Sequence, residues 1–165
     1  EITSRTVLLK EYENQHFVFF TNYGSEKASQ LGQNPAAALL FYWPWLDRQV
    51  RINGSVEKTS REKSEAYFHS RSRGSQLGAF VSSQSRELAS RELLERQVRE
   101  LEEQLGDQQV PLPESWGGFS LRPQRFEFWQ GRLNRLHDRF QYTRELDADQ
   151  EWQEWPAWQI TRLYP

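Results

Sequence analysis

Stretches that alternate between apolar and polar residues outnumber those with a helical repeat, so the chain reads first as a β-rich one. Thr6–Glu11 and His16–Thr21 alternate on either side of Glu13-Asn14-Gln15, the pattern of a hairpin. Ser25 then stands where a helix cap belongs, and the segment it opens stops near Gly32 and Pro35. Ala36–Trp43 is unbroken apolar sequence, which predicts a buried strand, and Arg48–Lys58 alternates as the next strand. Ser60 opens a helix expected to run through Tyr67 and Phe68 to about Arg71. The clearest helix is Ser90–Leu105, where Leu94, Val98, Leu101 and Leu105 form one stripe and a mixed-sign charged face carries i,i+4 pairs. Pro111-Leu112-Pro113 and Trp116-Gly117-Gly118-Phe119 predict an irregular connector. Strands Arg125–Gln130, His137–Arg144 and Ala157–Leu163 follow, with acidic Glu145–Glu154 as the loop before the last. Antiparallel strands with a few flanking helices predict an α+β, mainly antiparallel, barrel-type domain spanning 1–165.

Bulk composition narrows the chemistry. At 165 residues and 19.7 kDa the expectation is a single domain with a real core. A net charge of −2 offers no case for nucleic acid as a partner. No cysteine is present, which excludes disulfides, thiol catalysis and cysteine-held zinc or iron–sulfur centres. His16, His69 and His137 are far apart and no HExxH occurs, so no metal site is expected. The longest apolar run, Pro35 to Leu46, is too short to span a bilayer and contains Pro44. With no leader visible, the expected location is the cytoplasm.

Three segments carry candidate chemistry. Arg135, His137 and Arg139 are spaced by two. On a strand they would share one face and suit an anionic, planar heteroaromatic ligand. Phe20–Lys27 runs from a strand into a helix start, where free N–H groups and Lys27 would hold a phosphate, although simple capping by Ser25 explains the same residues. Tyr67, Arg71 and Ser75 recur at spacing four, so phenol and guanidinium share a helix face, with the Ser75 hydroxyl in the Gly74 turn beyond. That set makes a second phosphate clamp, or a core tyrosine beside a solvated arginine. No nucleophile–base pair is present, so chemistry would come from a bound cofactor.

The segments RTVLLK (Arg5–Lys10), FFTNYGSEKA (Phe19–Ala28), RQV (Arg48–Val50), YFHSRSRGSQLGAFVSSQS (Tyr67–Ser85), VPLPESWGGF (Val110–Phe119), FEFWQG (Phe126–Gly131) and NRLHDRF (Asn134–Phe140) together resemble the pyridoxine/pyridoxamine 5′-phosphate oxidases. The resemblance implies an FMN-binding split β-barrel homodimer with FMN between the subunits. It implies that Arg5, Val7, Leu8, Lys10, Phe20, Thr21, Lys27, Gln49, Gln84, Ser85, Trp129 and Arg139 contact FMN. Lys10, Tyr67, Arg71 and Ser75 are implied to grip the substrate phosphate, with Arg135 and His137 over the pyridine ring as the catalytic pair. The implied reaction moves a hydride from C4′ of pyridoxine or pyridoxamine 5′-phosphate to flavin N5, giving pyridoxal 5′-phosphate, while O2 becomes H2O2. The alternatives are a related split-barrel oxidase acting on another aromatic substrate, such as a phenazine precursor, and a non-catalytic carrier of flavin or pyridoxal phosphate. Two departures stand out. Glu26 occupies a position where the family carries Arg, and the family's further N-terminal segment before Arg5 is expected to be missing.

Overall fold

The computed structural model describes residues 3–144 and 157–165, so the acidic stretch Glu145–Glu154 lies outside the described residues. The elements are β1 (Glu11–Glu13), β2 (His16–Asn22), α1 (Glu26–Gln33), β3 (Ala36–Trp43), β4 (Arg48–Lys58), α2 (Arg61–Ser70), α3 (Arg73–Val81), α4 (Arg91–Leu105), β5 (Trp116–Gln130), β6 (Asp138–Thr143) and β7 (Gln159–Leu163). Hydrogen-bonded strands follow the order β1-β2-β5-β4-β3, with β6 beside β5 and β7 beside β6. The chain separates into two compact units, Glu1–Pro35 with Glu57–Ser120 and Ala36–Val56 with Leu121–Pro165.

In the first unit, β1 and β2 pair antiparallel with Glu13 opposite His16. The two-residue turn between them holds Asn14 and Gln15 at φ 48° and 62°, the left-handed pair that suits the twist of a hairpin. The predicted first strand is corrected: strand pairing begins at Glu11 rather than Thr6, preceded by a bond from Lys10 N to Val18 O of 2.9 Å. Ser25, Ser60 and Ser90 each accept a backbone N–H three residues on, from Ala28, Lys63 and Leu93. These caps set the starts of α1, α2 and α4 where the sequence puts them.

Helix α3 was not expected, because Gly74, Gly78 and the serines around them are weak helix formers. Tertiary packing overrides that weakness: Leu77 joins Phe68, Val110 and Trp116 in a buried cluster, against which Val98, Leu101 and Leu105 of α4 pack. Fully burying Phe68 and Leu77 contributes roughly 1.5–3 kcal/mol each. The expected connector Trp116-Gly117-Gly118-Phe119 is also corrected, since it opens the long strand β5. Its glycines serve close packing rather than a turn. A Cβ on Gly117 would lie 2.3 Å from Tyr23 Oη, and one on Gly118 would lie 2.7 Å from Thr59 Oγ1.

In the second unit, β3 and β4 pair antiparallel from Ala36–Ser55 to Trp43–Arg48. β5 pairs β6 from Arg125–Thr143 to Gln130–Asp138, and β6 pairs β7. Strand β3 lies where its apolar run predicts, but it is not buried within the chain. It ends the strand order, and Leu40 and Tyr42 remain 62% and 57% exposed. Periodicity reports that a segment is apolar; it does not say which molecule covers it.

A second correction concerns the polar strand face. β6 begins at Asp138, so Arg135 and His137 precede it and share no strand face with Arg139. Leu133–Arg135 instead form a 3-10 turn with Asn134 and Arg135 at φ 57° and 62°. Two consecutive residues in the left-handed region reverse the chain and cancel the period-two reading.

Candidate functional site

A cavity of about 760 Å³ opens in the first unit, within the range of small-molecule and cofactor sites. Residues ahead of the hairpin supply Thr6, Val7, Leu8 and Lys10; the end of β2 supplies Phe20, Thr21 and Asn22; α1 supplies Lys27. Helices α2 and α3 contribute Tyr67, Ser70, Arg71, Ser72, Ser75, Gly78 and Ala79, with Ser82, Gln84 and Trp116 completing the wall. Among the described residues, Lys10, Lys27 and Arg71 are its charged ones, and no carboxylate lines it.

Each cation is held without a carboxylate partner among the described residues. Lys27 is only 8% exposed, and its Nζ donates to Thr21 Oγ1. Burial first, and then the Arg5 guanidinium, hold the Lys27 ammonium below the usual lysine range. Thr21 Oγ1 in turn donates to Gln84 Oε1 at 3.1 Å, and Asn22 N reaches the same oxygen at 3.3 Å. Gln84 is thus tied to the end of β2. Arg71 caps α2, and its buried Nη1 has no hydrogen-bond partner among the described residues. Burial lowers its pKa from the ordinary arginine value, with Tyr67 opposing; an arginine stays charged through such a shift. A charged, buried N–H without an acceptor is costly, and an anion in the cavity would satisfy it. Ser75 lies in the first turn of α3, where it shares a 2.9 Å hydroxyl contact with Ser72.

The cavity therefore gathers Val7, Leu8, Lys10, Phe20, Thr21, Lys27, Gln84, Tyr67, Arg71 and Ser75. Arg5 is bound to Thr3 and Gln30 through its guanidinium, and Ser85, at φ 69°, follows Gln84. Neither lines the cavity. Glu26 points to solvent and accepts from Gln30 Nε2 at 3.0 Å. Sequence reasoning missed Thr6, Asn22, Ser70, Ser72, Gly78, Ala79, Ser82 and Trp116. The serines could have been found only once α3 was recognised, because the helix brings them to one wall.

Gln49, Trp129, Arg135, His137 and Arg139 belong to the second unit. There His137 Nδ1 accepts from Arg132 N at 3.0 Å, and its ring lies 4.7 Å from that of Trp129. Arg139 donates to Glu127 Oε2 at 3.0 Å and to Tyr164 O at 2.9 Å. His137 and Arg139 line a smaller hollow of about 450 Å³ with Arg162 and Tyr164. Arg135 is exposed.

No helix among the described residues is long and apolar enough to cross a membrane. Comparison with solved structures identifies the fold. The chain superposes over its whole length on PhzG from Burkholderia lata, solved with tetrahydrophenazine-1-carboxylic acid. That match has TM-score 0.87 and 28% identity, and covers 76% of the PhzG chain. A pyridoxamine 5′-phosphate oxidase-related, FMN-binding protein from Nostoc punctiforme matches with TM-score 0.70 at 18% identity, over 98% of this chain and 79% of that one. The fold is thus the α+β split barrel, and the class is the split-barrel oxidoreductases. Family models then narrow the class: residues 3–105 match pyridoxamine 5′-phosphate oxidase, and residues 116–165 match the pyridoxine 5′-phosphate oxidase C-terminal dimerisation region. A pyridoxine/pyridoxamine 5′-phosphate oxidase of Hydrogenovibrio crunogenus is 54% identical, over 98% of this chain and 72% of its own length. The chain belongs to the pyridoxamine 5′-phosphate oxidase family.

Proposed function

We propose that this chain is an FMN-dependent oxidase that converts pyridoxine 5′-phosphate, pyridoxamine 5′-phosphate or both to pyridoxal 5′-phosphate. The observation that carries the reading is the cavity itself: among the described residues it has three cations, no carboxylate, and a buried Arg71 N–H with no acceptor. The residues fit the cofactor as well as the substrate. Lys27 with Thr21 makes a desolvated cationic pair suited to the FMN phosphate. Arg71 and Lys10, with the hydroxyls of Tyr67 and Ser75, would neutralise and orient the substrate phosphate, and holding that end fixes the ring at the other.

FMN, when bound, would supply the two-electron oxidation of the substrate's C4′ carbon and pass the electrons to O2, giving H2O2; an amine substrate would also take up water and release ammonia to reach the aldehyde. In a homodimer with FMN between the subunits, Gln49, Trp129 and Arg139 would complete the flavin site. Arg135 and His137 would face the substrate ring. The match of residues 116–165 to a dimerisation region supports this arrangement, as do the exposed apolar side chains of β3. Arg135, a fixed cation, would stabilise electron-rich forms of the ring. Arg135→Ala is therefore expected to lower turnover at least tenfold more than it lowers FMN affinity. Equal loss of both would remove Arg135 from the reacting end.

The test of the whole reading is an anaerobic visible spectrum of FMN-loaded protein, taken before and after adding pyridoxine 5′-phosphate. The flavin bands should bleach. Flavin that stays oxidised with both phosphorylated vitamers would overturn the substrate assignment; bleaching by a dihydrophenazine acid instead would transfer it to that class. Bound flavin reduced by neither would leave a carrier.

A further inference from the structure

The two cations assigned to the substrate phosphate share an unusual support. Neither Lys10 nor Arg71 has an ion pair among the described residues. Both rest on aromatic faces. Lys10 Nζ lies 5.6 Å from the Tyr67 ring centroid, and Arg71 Cζ lies 5.0 Å from that of Trp116. Those rings belong to one stack. Phe20 is 4.0 Å from Tyr67 at 24° and 5.5 Å from Trp116 at 10°, while Tyr67 and Trp116 are 6.1 Å apart at 14°. Trp116 is 6% exposed and belongs to the buried cluster with Phe68 and Leu77, so its face is fixed by packing.

We propose that Trp116, through the Phe20–Tyr67–Trp116 stack, is the positioning residue of the phosphate clamp, holding the Arg71 guanidinium toward the cavity. This rests on the oxidase reading above. The physical reason lies in what each kind of support leaves free. A carboxylate would orient Arg71 equally well, but it would occupy the N–H groups and neutralise the charge that a phosphate dianion needs. A ring face attracts the cation by its quadrupole and takes no hydrogen bond in the guanidinium plane. Arg71 keeps its full charge, and Nη1 stays open.

The test uses two unreactive ligands, 4-deoxypyridoxine 5′-phosphate and 4-deoxypyridoxine, titrated into FMN-loaded protein. Their affinity ratio isolates what the phosphate contributes. In Trp116→Leu the ratio should fall about tenfold, with 4-deoxypyridoxine affinity and FMN affinity within about twofold of the parent, the scale of a lost desolvated cation–π contact. Trp116→Phe, which keeps a weaker ring face, should lose about threefold. Should the leucine variant fail to fold, the phenylalanine variant decides alone. An unchanged ratio, or equal loss for both ligands, would overturn the proposal and reduce Trp116 to a packing residue. Arg71→Ala serves as the control for the underlying reading: a ratio unmoved there would sink the phosphate clamp itself, whatever Trp116 does.

Discussion

The cavity cations of the first unit and the strand arginines of the second are held in opposite ways. In the second unit, Arg51 and Arg139 both donate to Glu127 Oε2, at 2.6 and 3.0 Å, and Arg132 and Arg162 both lie on Asp138. In the first unit's cavity, Lys10, Lys27 and Arg71 have rings and hydroxyls for neighbours and no carboxylate within ion-pair distance among the described residues. A paired guanidinium has its charge and its N–H directions already committed. One held by a ring or a hydroxyl can still bind an anion. Both arrangements are built by sheet and helix packing, so an abundance of arginine does not itself mark a site; what else touches each arginine does.

The largest break in that comparison is expected from Arg71→Ala. Removing a charge-assisted, buried contact to phosphate costs about 3 kcal/mol, or roughly a hundredfold in KM for the phosphorylated substrate, with kcat less affected. Steady-state kinetics on the FMN-loaded enzyme would show it, and an unchanged KM would place the phosphate elsewhere.

Lys27→Gln is next, with FMN affinity expected to fall by about 2 kcal/mol, roughly thirtyfold. Burial and Arg5 lower the Lys27 pKa below its unfolded value. Its protonated form, and the anion affinity that depends on it, is therefore present below that lowered value and lost as pH rises through it. Fluorescence titration of FMN across the alkaline range should show affinity declining earlier than an ordinary lysine would allow. The glutamine variant should lack that limb; an identical pH profile in both proteins would exclude Lys27 as its source.

Glu127→Gln tests the other side. Burial raises the Glu127 pKa, but hydrogen bonds from Arg139 and then Arg51 outweigh it and leave the carboxyl below its usual range. A depressed folded pKa stabilises the fold above the unfolded value and loses that contribution as pH falls through the folded one. Because the Arg51 side chain is 49% exposed, the expected loss at neutral pH is discounted to about 1 kcal/mol. Urea unfolding should show the gap between parent and variant closing in acid. A gap independent of pH would mean the carboxylate's charge is not what matters.

Smallest of all should be Glu26→Arg. Since Glu26 faces solvent and engages Gln30, FMN affinity should change by no more than about twofold, the scale of an exposed charge near a helix start. A tenfold gain would show that the carboxylate does reach the flavin phosphate.

Much of this molecule could be read from local signals. Ser25, Ser60 and Ser90 announced three helices, Asn14-Gln15 sat at the tip of a hairpin, and Arg48–Lys58 matched its strand end to end. The resemblance carried by short motifs named most of one cavity wall. These signals are local because capping, turn geometry and strand alternation each involve only a few neighbouring residues.

What the sequence could not determine depended on distant neighbours. Helix α3 forms against its own glycines because Leu77 finds Phe68 and Trp116. Gly117 and Gly118 look like a turn in one dimension, but in three they leave room for Tyr23 and Thr59. Arg135 shares a spacing with His137 and Arg139 but not a strand face, because it lies in a left-handed turn before β6 begins. Trp116 had no site assignment until the fold placed its ring 5.0 Å from the Arg71 guanidinium carbon. The sequence by itself determined most of the element types and the family, both of which are written in residue type and short spacing. Only the tertiary structure decided which cations are neutralised and which stay open, because that depends on groups brought close by folding rather than by sequence.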